Sequence, residues 1–369
     1  MKKVGIVSGG MTKFTKDDVT LESLMVSSIK PIFDSTSDLS QKDIDVVLTS
    51  TNANKKYLAN IISELSGISP KTAHSVESLC NSGTNSLVSA YSYISSGLAD
   101  VALVVGAEKT DSPGLVLEWD HSRGQYKHPI YWSSMFTSAH MRKYGTTMED
   151  LAYVSAKNHR NSIDNPFAYF TKNYTIEDVM QSKHLTENVR LLDCSMPCNG
   201  ASSILLASED VIKKYAKNPV WITGIGQKAL SAGFTKNPNL TSMESSVSSS
   251  ADAYTMSKRH PKDIDVMELH DAFGICEIIE LEDLGFAKKG KASELVRQSY
   301  DTNDKKINPR GGLIGSGHPL GATGIAQTIE IFNQLQNNAG KRQVAGAKVG
   351  MVHNMSAAAT SSTVLILEA

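Results

Sequence analysis

KDIDVVLTS at residues 42–50 and KDIDVMELH at 262–270 begin with the same five residues, 220 positions apart. In each copy a short apolar run follows. It is too short for a helix and lacks strict alternation with polar residues, the pattern of a strand buried on both faces. Runs of the same kind occur as VGIVSGG at 4–10, VALVVGAE at 101–108, VWITGIG at 220–226, VGMVHNM at 349–355 and TVLILEA at 363–369. Between them lie stretches with helical periodicity, such as NSLVSAYSYISSGLA at 85–99 and GIAQTIEIFNQLQNN at 324–338. Strands alternating with helices predict an α/β protein with a largely parallel sheet.

The order of segments repeats as well. CNSGTNSLVSAYSYI at 80–94 matches GATGIAQTIEIFNQL at 321–335 in outline, each a small-residue turn leading into an amphipathic helix. DVALVVGAE at 100–108 then corresponds to KVGMVHNMS at 348–356. The three offsets, 220, 241 and 248, preserve the order while insertions accumulate. This is the signature of a duplication, with one half over 1–218 and the other over 219–369. A region of different composition, about 112–190, rich in Tyr and His and containing Trp119 and Trp132, interrupts the first half. Long insertions in compact domains are usually functional, so this one is expected to cover substrate. The Ser-rich stretch TSMESSVSSSADAY at 241–254 is expected to be a loop leading into a helix.

Composition narrows the function. With 369 residues, 40% apolar and 20% charged, the chain is long enough for two cores and ordinary for a globular protein. A formal net charge of -1 gives no pull toward nucleic acid or a membrane surface. The apolar run after Met1 is broken by Gly9 and Gly10, and no stretch approaches the roughly 18 apolar residues of a membrane span. The last residues, TVLILEA, carry no peroxisomal or retention tripeptide, so a cytoplasmic protein is expected. The spacing of Cys194 and Cys198 fits neither a redox nor a zinc motif, and no metal is expected.

Cys80 is set apart from the other cysteines. In SVESLCNSGTNSL at 75–87 it precedes a tight turn and a helix start, whose partial positive charge and free N–H groups favour a thiolate and can hold an oxyanion. His318, on the glycine-rich stretch INPRGGLIGSGHPLGATG at 307–324, precedes the repeat-equivalent helix. Pseudo-symmetry should bring the two helix starts face to face. His270 and Asp271 end the second KDIDV strand, and His353 and Asn354 end another. Ligands of open α/β sheets gather at strand ends, so these residues suggest a Cys–His acyl-transfer site.

Four segments resemble the catalytic loops of thiolases: the loop around Cys80, HDAF at 270–273, GHPLGATG at 317–324 and VHNMSAA at 352–358. YGTTMEDLAYVSAKNHRNSIDNP at 144–166 is similar to the thiolase insert, so the likeness covers nearly the whole chain. HDAF and the terminal HN are similar to the sterol-carrier-protein-type and archaeal members. The resemblance implies a five-layered αβαβα fold of two similar halves, and an acetyl-CoA C-acetyltransferase that joins two acetyl-CoA into acetoacetyl-CoA through acetyl-Cys80. His318 would activate Cys80, and His270 would support the oxyanion of the second substrate. The backbone N–H of Cys80 would stabilise the acetyl-enzyme oxyanion. Coenzyme A enters as substrate and product, with no resident cofactor.

The resemblance further implies a homodimer or homotetramer, and the archaeal likeness a place in the mevalonate pathway beside a hydroxymethylglutaryl-CoA synthase. Thiolases take their second acid/base from a cysteine in the last loop or, in the sterol-carrier type, from one within HD-x-F. Here the last loop has none and position 272 is alanine. His353 is the first substitute and Cys276 the second. The alternatives are a decarboxylating ketoacyl synthase, which needs no such base, and a non-catalytic acyl-binding or scaffold relative.

Overall fold

Asp45 and Asp265 perform one task in both copies of the repeat. The Asp45 carboxylate accepts the backbone N–H of Asp100 at 2.8 Å and of Val101 at 3.1 Å. Asp265 accepts those of Lys348 at 2.8 Å and Val349 at 3.0 Å. Each aspartate thus fixes where the neighbouring parallel strand begins.

The computed structural model describes residues 1–111, 124–233, 236–237 and 239–369. The first half runs β1 (Val4–Met11), α1 (Leu21–Ser35), β2 (Val46–Ser50), α2 (Leu58–Leu65), β3 (Thr72–Ser75), α3 (Ser82–Ser95) and β4 (Val101–Glu108). The insert follows as α4 (Pro129–Tyr144), α5 (Met148–Ser162), α6 (Ile176–Met180) and a small ribbon of β5 (His184–Thr186) and β6 (Val189–Arg190). β7 (Gly200–Ser208) returns to the main sheet. The second half runs β8 (Val220–Ala229), α7 (Glu244–Ser257), β9 (Val266–Glu268), α8 (Gly274–Asp283), α9 (Ala292–Thr302), α10 (Gly312–Ser316), α11 (Leu320–Leu335), β10 (Val349–Ser356) and β11 (Ser361–Glu368).

Nine strands join in the order β3-β2-β4-β7-β1-β8-β11-β10-β9. Read outward from the β1–β8 contact, four strands of each half follow the same order, and a single parallel bridge of Met267 with Ile307 stands where β3 pairs with β2. The contact itself is the antiparallel pairing of Gly5 with Trp221 and Ile6 with Val220. Parallel pairing, expected for most of the sheet, holds for the outer strands β3-β2-β4 and β10-β9, which helices connect. The inner pairs are antiparallel. β10 and β11 are joined by a tight turn, which only antiparallel neighbours can use.

Period-2 alternation divides the apolar side chains among three cores. Val47, Leu103 and Leu205 face α1 and α2, while Leu48, Val104, Leu206, Val352 and Leu365 face the central helices α3 and α11. Met351, Val364 and Ile366 face α7 and α8. The two halves of the nine-stranded sheet pack on opposite sides of the central helices, so helix, half-sheet, helix, half-sheet, helix gives the five layers. In the centre, α3 and α11 cross near their starts: a Cβ on Gly324 would stand 2.8 Å from the backbone nitrogen of Thr84, and one on Gly83 would stand 3.0 Å from the carbonyl oxygen of Gly321.

The Ser-rich stretch is itself helical from Glu244 onward. Ser245, Ser246, Ser249 and Ser250 are buried, and their small size lets α7 lie directly on β8. A Cβ on Gly226 would stand 1.8 Å from the carbonyl oxygen of Ser249. Within the insert, Trp119 lies outside the described residues. Among the described residues no helix is long and apolar enough to cross a membrane.

Candidate active site

Cys80 sits in a single helical turn, Leu79–Asn81, just ahead of α3. Leu79 has a left-handed backbone (φ 51°), and Ser82 Oγ braces the turn by accepting the Ser78 N–H at 2.7 Å and donating to the Leu79 carbonyl at 2.6 Å. The bend presents the thiol to a cavity of about 240 Å³. The helix start was expected to favour a thiolate, but burial outweighs it and pushes the Cys80 thiol up to about 12. The carboxylates of Glu108 and Glu77 push the same way, while the backbone N–H of Cys80 pulls against them. At rest the nucleophile carries its proton and needs a base.

His318 follows α10 across Gly317, whose φ of 92° suits glycine. Its backbone N–H donates to the Met196 carbonyl at 2.8 Å. Nδ1 lies 2.7 Å from Thr323 Oγ1, and that hydroxyl donates to the Pro319 carbonyl at 3.0 Å. Thr323 can therefore only accept from the ring, so Nδ1 carries the proton and the Nε2 lone pair is left for the cavity. Burial, then the charge of Arg310, pushes His318 down to about 3, so the ring is neutral at rest.

His270 follows β9, and its backbone N–H donates to Glu280 Oε2 at 2.8 Å. Its ring stands edge-on to that of His318, with centroids 5.1 Å apart at 87°. Burial and the two neighbouring histidines lower its pKa well below the usual value. Asp271 points the other way: its carboxylate accepts the backbone N–H of Leu313 at 2.6 Å and of Ile314 at 3.2 Å, and the Asn158 amide at 2.7 Å. It thereby ties the HDAF loop to the loop carrying His318. Gly312 makes room, since a Cβ there would stand 2.3 Å from the carboxylate.

Cys80 Sγ and one ring nitrogen from each of His270 and His318 lie within 4.8 Å of one another. Three soft donors at that range could also hold a zinc ion, but a thiol beside neutral imidazoles is equally the arrangement for acyl transfer. The insert supplies Ile130, Trp132 and Leu185 to an apolar wall that Leu191, just after it, completes, with exposed His128 at the rim. Opposite lie Ala357 and Ala358, in a turn whose alanines adopt left-handed backbone.

Two residues expected in the site are elsewhere. His353 turns toward the outer layer, with Nε2 2.9 Å from Ser246 Oγ and Nδ1 3.2 Å from Glu280 Oε2, and it does not line the cavity. Cys276 is fully buried in the core around α8 and does not reach the cavity either. Asn354 faces the central layer and donates to Gln327 at 2.6 Å. A segment not expected there, Cys194–Pro197, forms part of the wall. DCSMPC gives no local signal for this, because tertiary backbone pairing places it.

The family described as thiolase, N-terminal domain, matches residues 4–176, and that described as thiolase C-terminal domain-like matches 226–369. An acetyl-CoA acetyltransferase of Methanothermobacter thermautotrophicus is 37% identical over 312 residues, 82% of this chain and 81% of that protein. Sterol carrier protein 2 of Oryctolagus cuniculus is 35% identical over 76% of this chain, which spans 55% of its length. A solved structure described as an Ltp2-ChsH2(DUF35) aldolase superposes with a TM-score of 0.87 at 22% identity, covering 100% of this chain and 98% of that one, a likeness of fold.

Proposed function

The chain belongs to the thiolase family, and we propose that it is an acetyl-CoA C-acetyltransferase, condensing two acetyl-CoA into acetoacetyl-CoA and CoA. The observation that carries this reading is the meeting of Cys80, His270 and His318 at one cavity.

In the first half-reaction the Cys80 proton passes to His318 Nε2 as sulfur attacks the acetyl carbonyl carbon. The carbonyl oxygen becomes an oxyanion, held by backbone N–H at the helix start. Collapse expels CoA thiolate and leaves acetyl-Cys80. In the second half-reaction another acetyl-CoA loses an α-proton, its carbon attacks the acetyl-Cys80 carbonyl, and Cys80 recovers its proton from His318. His270 and His318 support the enolate oxygen of the second thioester, with His270 acting directly or through water.

Support for the acetyl substrate comes from the archaeal relative's name, and for the apolar acyl end from the walls around Trp132. We further place the protein in the cytoplasm as a homodimer or homotetramer, supplying a hydroxymethylglutaryl-CoA synthase at the start of mevalonate synthesis. One observation favours the decarboxylating alternative: neither Ala272 nor the turn after Met355 offers a base to the cavity. Condensation with malonyl but not acetyl thioester would select that alternative.

The test is incubation with acetyl-CoA alone, followed by intact-mass measurement and peptide mapping. An acetyl adduct on Cys80, discharged by added CoA and absent from Cys80→Ala, is expected. No adduct, or one on another residue, contradicts the reading.

A further inference from the structure

Condensation requires a group to remove the α-proton, and with His353 and Cys276 outside the cavity neither expected residue can do so. Resting on the acyl-transfer reading, we propose that Cys194 is this second acid/base. The Ser195 N–H donates to the Ala272 carbonyl at 2.9 Å, and Cys194 pairs with Phe273 in an antiparallel bridge. On the other side, the His318 N–H donates to the Met196 carbonyl. The segment is therefore stitched between the two histidine loops, and Cys194 opens on the same cavity as Cys80, His270 and His318. Its bridge partner Phe273 is next to position 272, where HDAF has alanine.

A second feature marks this cavity as built for a polar ligand atom. His270 lines it at 2% exposure, and its Nδ1 has no partner among the described residues. The other polar lining groups are less suited. His128 is exposed at the rim, and the hydroxyls of Ser195 and Ser356 offer no useful acid or base at neutral pH. The Cys194 thiol is held by donation to the Arg190 carbonyl at 3.2 Å. Burial and the adjacent Asp193 carboxylate raise its pKa, so it rests protonated and becomes a strong base once its proton has left.

The protons balance over the cycle. Once the bond between acetyl and CoA has broken, the expelled CoA thiolate takes the Cys194 proton, leaving acetyl-Cys80, free CoA, protonated His318 and Cys194 thiolate. The thiolate then removes an α-proton from the second acetyl-CoA, and the resulting carbanion forms the carbon–carbon bond. The Cys80–acyl bond breaks, Cys80 takes its proton from His318, and every group is restored.

The test compares wild type with Cys194→Ala and Cys194→Ser, checked for folding by thermal melting. Two readouts are taken: acetylation of Cys80 by acetyl-CoA, and acetoacetyl-CoA formation together with deuterium wash-in at the α-carbon in D2O. In both variants acetylation is expected to stay within about tenfold of wild type, while condensation and wash-in fall about 10²- to 10⁴-fold. Should the alanine variant fold poorly, the serine variant, which can still donate to the Arg190 carbonyl, carries the comparison. Condensation within tenfold of wild type would overturn the proposal, and so would equal loss of acetylation and condensation, which would make the residue structural. A wild type that does not acetylate Cys80 would instead overturn the thiolase reading, and this assignment with it.

Discussion

Thr323 Oγ1 stands 2.7 Å from His318 Nδ1 while donating its own proton to the Pro319 carbonyl, so one hydroxyl sets both the tautomer and the orientation of the base. Thr323→Val keeps the shape and removes the acceptor. The imidazole is then free to move its proton to Nε2 or to rotate. The expected result is a fall in kcat of about 10- to 100-fold, as for a modest misplacement of a reacting group. Stability should drop by only about 1 kcal/mol. Unchanged turnover would show that the tautomer is held by something else.

Reactivity of the nucleophile gives a second prediction. With the Cys80 thiol pushed up to about 12, iodoacetamide should alkylate it faster with every step from pH 7 to pH 10, with no plateau. Mass mapping of Cys80 against pH checks this. A plateau below pH 8 would mean that the helix start prevails over burial and the nearby carboxylates.

The depressed pKa of His318 makes a stability prediction. Between its ordinary value of 6.5 and its folded value of about 3, the unfolded chain binds a proton that the folded one refuses. The stabilisation is complete above pH 6.5 and is lost as pH falls toward 3, at about 1.4 kcal/mol per unit. Denaturant titrations of wild type and His318→Gln should differ in this slope by about one proton. Parallel curves would contradict the neutral, buried imidazole.

Asp271→Asn tests the tie between the two histidine loops. An amide nitrogen facing the Leu313 or Ile314 N–H leaves a buried donor unpaired, which costs about 1–3 kcal/mol. A lower melting temperature together with a fall in kcat is expected, because the tie to Leu313 and Ile314 also places His318. Loss of stability with full kcat would restrict Asp271 to folding.

Much of this was legible in the chain. The KDIDV repeat marks a real structural device, the aspartate that starts the neighbouring strand, and the matched small-residue turns mark the helix crossing at Gly83 and Gly324. These features are local, so residue type reports them. The facing of His353 was not legible: VGMVHNM is apolar on both sides, and period 2 cannot tell which face looks at α7 and which at α11. Cys194 and the wall residues Leu185 and Leu191 reach the cavity through tertiary pairing, which leaves no mark in their own segments. The serines of α7 resembled a loop because their role is to be small against Gly224 and Gly226.

The most direct test of the central claim is thiolysis of acetoacetyl-CoA by free CoA, followed as loss of absorbance, in wild type and Cys80→Ala side by side. Cleavage by the wild type, and its disappearance in the variant, is the predicted result. Cleavage that survives the loss of Cys80, or a wild type that acts only on a malonyl thioester, would contradict it.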